Sequence, residues 1–200
     1  LLTNRNIIER AQKAAPFLTF DKDPYIVTSA DGRLKWVIDA YTTSDRYPYS
    51  QEYNGINYIR NSVKAVVDAY DGTLVFFITD ETDPLIRMYR SMYPGLFSED
   101  ALYSDIAEHT KYPAYLLSVQ SEVYKKYHTS DAKTFYSGSD NWEIAKESFS
   151  GAETPKSAPS YNFSPENGGT LSISLGFTRE KEDELVAFLS ADKQGLKLYT

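Results

Sequence analysis

One stretch of the chain, residues 43–57, combines the aromatic and charged side chains found in ligand-binding loops, and we call it the aromatic loop. Its rings offer stacking surfaces and its charges offer hydrogen bonds. The candidate binding residues are Asp45, Arg46, Tyr47, Tyr49, Tyr53 and, just beyond the loop, Arg60. Tyrosine supplies contact area at a small entropic cost, and loops held by rigid strands tend to carry function. The pattern predicts a site for a glycan or an extended peptide. The alternative is a structural loop whose rings pack on the sheet edge and whose arginines pair with nearby acids.

A second group of candidates consists of two carboxylates in matching strand contexts. Asp39 and Asp68 each precede Ala-Tyr and follow a Val or Ile. Adjacent strands would bring the two carboxylates onto one face, where such a pair can share a proton, bind a metal or act as acid and base in glycoside hydrolysis. The alternative is that each pairs with a cation across the sheet. The available cations are Arg33, Lys35 and Lys64.

A third group is the acidic run at residues 80–83, with Asp80, Glu81 and Asp83. Clustered carboxylate oxygens are the ligands that Ca²⁺ prefers, but the spacing of a calcium-binding loop is missing. Asp83 precedes Pro84, an arrangement typical of a helix N-cap followed by the first helical residue. We therefore predict no metal here, and we keep Asp80 and Asp83, with Asp39 and Asp68, as alternative catalytic carboxylates.

Composition and charge exclude several classes of function. The net charge is −7, and the chain has no basic stripe of the kind that nucleic-acid binders use to displace counterions from phosphates. Cysteine is absent, which excludes disulfides, cysteine zinc sites and thiol catalysis. Glycine-rich phosphate-binding motifs are missing as well. We predict no nucleic-acid partner and no cofactor.

The elements that position these residues begin with two predicted β-hairpins. Alternating apolar residues bounded by Asp-Gly predict strands joined by tight turns. The strands cover residues 25–29 and 34–42 around Asp31-Gly32, and residues 61–70 and 73–79 around Asp71-Gly72. In the second strand Trp36, Ile38 and Ala40 share one face, because successive side chains of a strand point to opposite sides.

Helices are predicted before and after the hairpins. They cover residues 3–15, begin at Asp83-Pro84, Ser98 and Pro113, and cover residues 132–136, 141–146 and 179–189. Residues 170–177 and 196–200 are predicted strands, and residues 151–169, rich in Pro, Ser and Gly, are a predicted long flexible loop. This order favours one α+β domain over residues 1–200, with a mainly antiparallel sheet of two hairpins plus C-terminal strands, packed by several helices.

Many short segments, taken together and in order, resemble a bacterial membrane-protein family, the uncharacterised protein family 0182. The segments that carry the resemblance are Asp23-Pro24-Tyr25, Asp31-Gly32-Arg33, residues 41–50, residues 57–64, residues 68–72, Asp83-Pro84, Tyr112-Pro113, Tyr127-His128 and residues 135–138. The resemblance spans most of the chain and weakens over residues 151–169. It carries over no catalytic residues.

The resemblance implies a location. Members of the family look like polytopic membrane proteins with a large extracytoplasmic region, and the longest apolar run here, residues 74–78, is too short to cross a membrane. We therefore expect a soluble extracytoplasmic fragment on the outer side of the cell membrane. Its expected role is to bind a cell-envelope component, a partner protein or the transmembrane region of the same protein. The alternative is a carboxylate-dependent hydrolase of envelope polymers.

Overall fold

The computed structural model describes residues 4–147, 156–165, 169–180 and 184–200. The chain divides into two compact units, residues 1–110 and 111–200. Helices and two mostly antiparallel sheets make the fold α+β, as the order of elements predicted. The single domain expected over residues 1–200 stays a prediction. No helix in the described ranges has both the length and the apolar character needed to cross a membrane.

The first unit is built on an antiparallel sheet with both predicted hairpins. Its strands are β1 (Thr19–Phe20), β2 (Tyr25–Thr28), β3 (Leu34–Ser44), β4 (Tyr58–Asp68) and β5 (Leu74–Ile78). The order across the sheet is β1-β3-β4-β5, and β2 also pairs with β3. The turn at Asp31-Gly32 joins β2 to β3, and the turn at Asp71-Gly72 joins β4 to β5. The aromatic loop joins β3 to β4, so it lies at the opposite end of these strands from both turns.

The two faces of this sheet bury different side chains, as strand alternation predicted. On one face Ile38, Val63 and Ala65 belong to a core that includes residues of the two helices α1 (Ile7–Ala14) and α2 (Pro84–Met92). On the other face Val37, Val66 and Phe77 form a second core with Ile106, which lies in the short helix α3 (Ser104–Ala107). Each face therefore has its own apolar support.

The caps explain where the helices of this unit begin. Asp83 caps α2 with Pro84 in the first helical turn, as predicted. Asn6 caps α1, and its side chain accepts hydrogen bonds from two backbone amides. The guanidinium of Arg10 on α1 donates to the carbonyl of Gly72, which ties the helix to the β4–β5 turn.

The helix predicted to begin at Ser98 begins six residues later, at Ser104. The amide of Ser98 donates to the carbonyl of Phe76 (2.8 Å), and Phe97 forms a parallel bridge with Phe76. Because this pairing holds the backbone at Phe97 and Ser98 along the edge of β5, helical structure begins only at Ser104.

The second unit combines helices with a second antiparallel sheet. Its elements are α4 (Ala114–Tyr127), α5 (Ala132–Ser137), β6 (Trp142–Ile144), β7 (Ser160–Ser164), β8 (Thr170–Arg179), β9 (Leu185–Asp192) and β10 (Gly195–Tyr199). The order is β10-β9-β8-β6, and β7 also pairs with β8. Leu117 of α4 belongs to the same core as Ile173, Phe177 and Leu189 of the sheet.

Two predicted helices of this unit are wrong. Residues 142–144 form β6, in which Trp142 and Ile144 are buried and Glu143 is not, the alternation of a strand. Residues 185–192 form β9, in which Ala187, Leu189 and Ala191 are buried. The charged residues that precede β9 in the sequence have the spacing of a solvated helix face and so predict a helix. In the structure, pairing with β8 makes residues 185–192 a strand.

The predicted loop over residues 151–169 contains a strand. Residues 160–164 are β7, paired with β8. Residues 151–155 and 166–168 of that loop lie outside the described residues.

Candidate functional site

The aromatic loop is held in a defined shape by one asparagine. The structure extends β3 to Ser44, so the connection between strands covers residues 45–57. Asn57 Oδ1 accepts a hydrogen bond from the amide of Tyr47 (2.9 Å), and Asn57 Nδ2 donates to the carbonyl of Tyr47 (2.7 Å). Ser50 Oγ donates to the carbonyl of Asn57 (2.7 Å). These bonds close the loop on itself, so its side chains start from a fixed backbone.

Two tyrosine rings are presented to solvent by this backbone. The side chain of Tyr49 is fully exposed, and its φ of 59° lies in the left-handed region that residues other than glycine seldom adopt. Tyr47 is 53% exposed and stacks on Tyr58, with 5.4 Å between ring centroids. Backbone strain of this kind persists where the surrounding structure holds it, and it concentrates at functional sites.

The charged candidates of the loop are also accessible. Asp45 and Arg46 form an ion pair (Nε to Oδ1, 3.7 Å), and their side chains are 69% and 90% exposed. An exposed pair of this kind adds little stability, so both groups are available to a ligand. Tyr53 is only partly exposed and sits in a tight turn in which its amide donates to the carbonyl of Ile56 (2.7 Å).

Arg60 differs from the other candidates because it is engaged with an acid. It lies on β4, and its Nε is 3.2 Å from Asp80 Oδ2. Its side chain is 39% exposed. Arg60 is thus brought near the base of the aromatic loop, but part of its hydrogen-bonding capacity is used within the protein.

Beneath the loop a buried carboxylate joins three elements. Asp83 is fully buried. It accepts hydrogen bonds from Ser62 Oγ (2.5 Å), Tyr58 OH (2.7 Å), the amide of Leu85 (2.9 Å) and the hydroxyl of Thr42. Burial opposes the charge of Asp83, but the three hydroxyls and the amide together lower its pKa below the ordinary value.

Tyr58 links this network to the aromatic loop. Burial, followed by its hydrogen bond to the Asp83 carboxylate, raises the pKa of Tyr58 to about 12. Its hydroxyl therefore stays protonated and keeps donating to Asp83 at neutral pH. The ring of Tyr58 stacks on the ring of Tyr47. The hydrogen bond that fixes Tyr58 to Asp83 therefore also helps to hold the exposed ring of Tyr47 in place.

Asp39 and Asp68 lie on one face of the sheet, but each is paired with cations. Asp39 opposes Lys64 and contacts its ammonium, and it also accepts from Asn61 Nδ2 (2.8 Å). Asp68 opposes Lys35 (2.5 Å) and accepts two hydrogen bonds from Arg33 (2.9 and 3.0 Å).

The spacing and charge of this pair do not suit hydrolysis. In the β3–β4 register, four residues separate the two carboxylates, about 13 Å along the strands, whereas the carboxylates of glycosidases lie about 5–9.5 Å apart. Arg33 and then Lys35 hold the pKa of Asp68 well below its usual range, so Asp68 is a poor proton donor.

The acidic run at residues 80–83 does not converge on one point. Asp80 pairs with Arg60 and accepts from the hydroxyl of Thr82 (2.6 Å), Glu81 contacts Arg90, and Asp83 is buried. Within the described ranges, no three acidic or histidine side chains are arranged to hold a metal ion.

Comparison with known proteins gives the chain a family. The sequence profile described as Uncharacterised protein family (UPF0182) matches residues 1–199. The chain belongs to this family. A UPF0182 protein of Clostridium botulinum (strain Loch Maree) is 44% identical over 200 residues, which is 98% of this chain and 22% of the relative. One of Pelobacter propionicus is 46% identical with the same coverage, and one of Clostridium acetobutylicum is 54% identical over 73% of this chain and 16% of the relative.

The chain spans about a fifth of the length of these UPF0182 relatives. No solved structure matches it. The family description names no activity.

Sequence reasoning missed three residues that give this candidate site its shape. Asn57 holds the loop, and Thr42 and Ser62 hold Asp83. Asparagine next to a predicted turn is a signal for local side-chain–backbone hydrogen bonds and would have pointed to Asn57. Nothing in the sequence pairs Thr42 or Ser62 with Asp83, because those contacts depend on the register of β3 and β4.

Proposed function

We propose that this region is a binding module that recognises a glycan of the cell envelope through the aromatic loop. The observation that carries the proposal is the exposure of Tyr47 and Tyr49 on a backbone that Asn57 holds in place. One face of a sugar ring is apolar and stacks on tyrosine, while its hydroxyl groups form hydrogen bonds with charged side chains. Asp45 and Arg46 supply such groups beside the rings.

The fixed shape of the loop strengthens the proposal. Ordering a flexible loop on binding opposes association, whereas a loop already in its bound conformation avoids that penalty. Asn57 and the Tyr47–Tyr58 stack hold the rings before any ligand arrives. The net charge of −7 favours a neutral or cationic glycan over a polyanion.

The proposal includes a location and a partner. The module acts on the extracytoplasmic side of the cell membrane, and the transmembrane region of the same protein is its partner. Support comes from the resemblance to polytopic membrane proteins that segments such as residues 41–50 and 57–64 carry. A hydrolase of envelope polymers has less support, because Asp39 and Asp68 are neutralised by cations and Asp83 is fully hydrogen-bonded.

The test is calorimetric titration of the protein with soluble peptidoglycan fragments and wall polysaccharides. Tyr49→Ala/Arg46→Ala is the informative variant, since both side chains are almost wholly exposed and their removal leaves the fold intact. Losing one stacked ring and one charged partner should weaken binding by about tenfold or more.

Tyr136→Ala is the matched control, because Tyr136 on α5 is 87% exposed but lies outside the aromatic loop. It should bind as the wild type does. Equal binding by the loop variant and the wild type, or no binding of any glycan, would reject the proposal; binding of an extended peptide instead would identify a protein partner.

A further inference from the structure

The two Asp-Gly turns of the first unit contribute to one cavity. Asp31 and Asp71 line an open cavity of about 330 Å³, together with Arg33, Lys35 and Asp68. The cavity lies at the end of β3 and β4 opposite the aromatic loop. Lys35 and Ser44 are nine residues apart on β3, which corresponds to about 30 Å, so this cavity is separate from the site proposed above.

The charged wall of the cavity is organised by Arg33. Its Nε and Nη2 donate to Asp68 (3.0 and 2.9 Å), and Nη2 also lies 3.4 Å from Asp71 Oδ2. Lys35 Nζ donates to the same Asp68 carboxylate (2.5 Å). Three carboxylates and two cations leave the lining with one net negative charge, located at the turn carboxylates Asp31 and Asp71.

These turn carboxylates are fixed by their own turns. Asp31 Oδ1 accepts from Ser29 Oγ (2.6 Å) and from the amide of Arg33 (3.0 Å), and Asp71 Oδ1 accepts from the amide of Thr73 (2.9 Å). Such hydrogen bonds stabilise the charged form. Both carboxylates therefore stay ionised at neutral pH and lie at fixed positions at the opening of the cavity.

The rest of the lining is apolar and aromatic. Val66, Val75 and Phe77 lie on the same face of the sheet and form the floor. The ring of Tyr103 meets Phe77 edge to face, with 5.1 Å between centroids, and is half-exposed. The cavity therefore combines a ring, fixed donors and fixed acceptors, and its volume is at the small end for ligand pockets.

We propose that this cavity binds an amino sugar of monosaccharide size that carries a free amine. The ammonium lies beside Asp31 and Asp71, the hydroxyl groups reach Arg33 and Lys35, and one face of the sugar ring packs on Tyr103. The net negative charge of the lining disfavours phosphate or an acidic sugar. A metal ion is not favoured, because the acidic side chains of the described residues form no such site.

The experiment follows backbone amide shifts by NMR while glucosamine is added at about pH 6.5, where an amine of ordinary pKa is mostly protonated. The amides of Gly32, Gly72 and Thr73 should shift in a saturable way. Glucose, N-acetylglucosamine and glucuronic acid are the competing ligands, and each should bind at least tenfold more weakly.

Asp31→Asn/Asp71→Asn is the informative variant, because asparagine keeps the oxygen that each turn uses and removes only the charge. It should bind glucosamine at least tenfold more weakly while keeping the wild-type amide spectrum elsewhere. Asp192→Asn is the matched control, since Asp192 Oδ1 accepts the same kind of turn hydrogen bond from the amide of Gln194 (2.7 Å) outside the cavity.

Three results would overturn the inference: no saturable shift with glucosamine, unchanged binding by the double variant, or equal binding of N-acetylglucosamine. The inference goes beyond the proposed function and does not depend on it. Tyr49→Ala/Arg46→Ala should leave glucosamine binding unchanged, so failure of the aromatic-loop proposal and failure of this one give different results.

Discussion

Three of the four buried carboxylates in the described part of the first unit, Asp39, Asp68 and Asp83, are stabilised by different partners. Asp83 is held by three hydroxyls and an amide, Asp39 by a lysine and an asparagine, and Asp68 by an arginine and a lysine. A buried charge is tolerated only when it is paired or fully hydrogen-bonded. The sequence offers cation pairing as one of two alternatives for Asp39 and Asp68, because alternation places Lys35 and Lys64 on the same face as the two carboxylates; the β3–β4 register then sets them opposite each other. The helix cap of Asp83 could be predicted from Asp83-Pro84, but its hydroxyl partners on β3 and β4 could not.

Asp68 should make the stability of the protein depend on pH in acid. Arg33 and then Lys35 lower its pKa in the folded state, so its stabilising contribution is present above about pH 4, the unfolded value, and is lost as the pH falls below it. We expect the urea midpoint of the wild type to fall below about pH 4, and Asp68→Asn to lower the midpoint at neutral pH but to flatten that fall.

The exposed Asp45→Asn is the control for the loss of one negative charge. It should reproduce the wild-type curve, because its partner Arg46 is also in solvent. A midpoint for Asp68→Asn that falls as steeply in acid as that of the wild type would mean that other carboxylates dominate the acid response.

At the scale of the elements, local signals predicted the hairpins and α2 well. Asp-Gly turns, alternation and Asp83-Pro84 act over a few residues, so they can be recognised without knowledge of the fold. The patterns of β6 and β9 predict helices because both strands depend on pairing with β8. β8 is distant in sequence from β6, and a charged segment separates it from β9. The composition of the aromatic loop predicted its place, but its shape depends on Asn57.

Asn57→Ala should loosen the aromatic loop without unfolding the sheet. The substitution removes both bonds to the backbone of Tyr47, a loss of about 1 kcal/mol per bond in local stability. Hydrogen exchange of the Tyr47 amide should become at least several-fold faster, while the amides of β4 exchange as in the wild type.

Asn162→Ala on β7, where the side chain donates to Ser174 Oγ (3.1 Å), is the control for loss of an exposed asparagine. It should leave exchange in the aromatic loop unchanged. Unaltered exchange at Tyr47 in Asn57→Ala would show that the strand ends alone hold the loop.

For the whole molecule, each compact unit contains its own apolar core. The two cores of the first sheet lie within residues 1–110, and the core of the second sheet lies within residues 111–200. A UPF0182 relative is several times longer than this chain.

A fragment of residues 1–110 should fold alone. It keeps all five strands of the first sheet and both of their cores, so a cooperative thermal transition is expected by circular dichroism. A fragment of residues 1–92 is the matched control: it lacks the buried Phe97 and Ile106 and should melt at a lower temperature or not fold. Absence of a transition for residues 1–110 would support one domain over residues 1–200.

The hydrogen bond between Arg10 and Gly72 makes the two Asp-Gly turns differ in what a substitution there would cost. Gly32 and Gly72 occupy equivalent hairpin turns with φ near 75°, but a Cβ at Gly32 meets open space, whereas one at Gly72 overlaps the guanidinium of Arg10. Asparagine tolerates this backbone, so position 32 can accept asparagine without a clash. At position 72 a side chain displaces the flexible guanidinium of Arg10 and removes its bond to the turn, so a substitution there also loosens α1 from the hairpin, whereas one at position 32 does not.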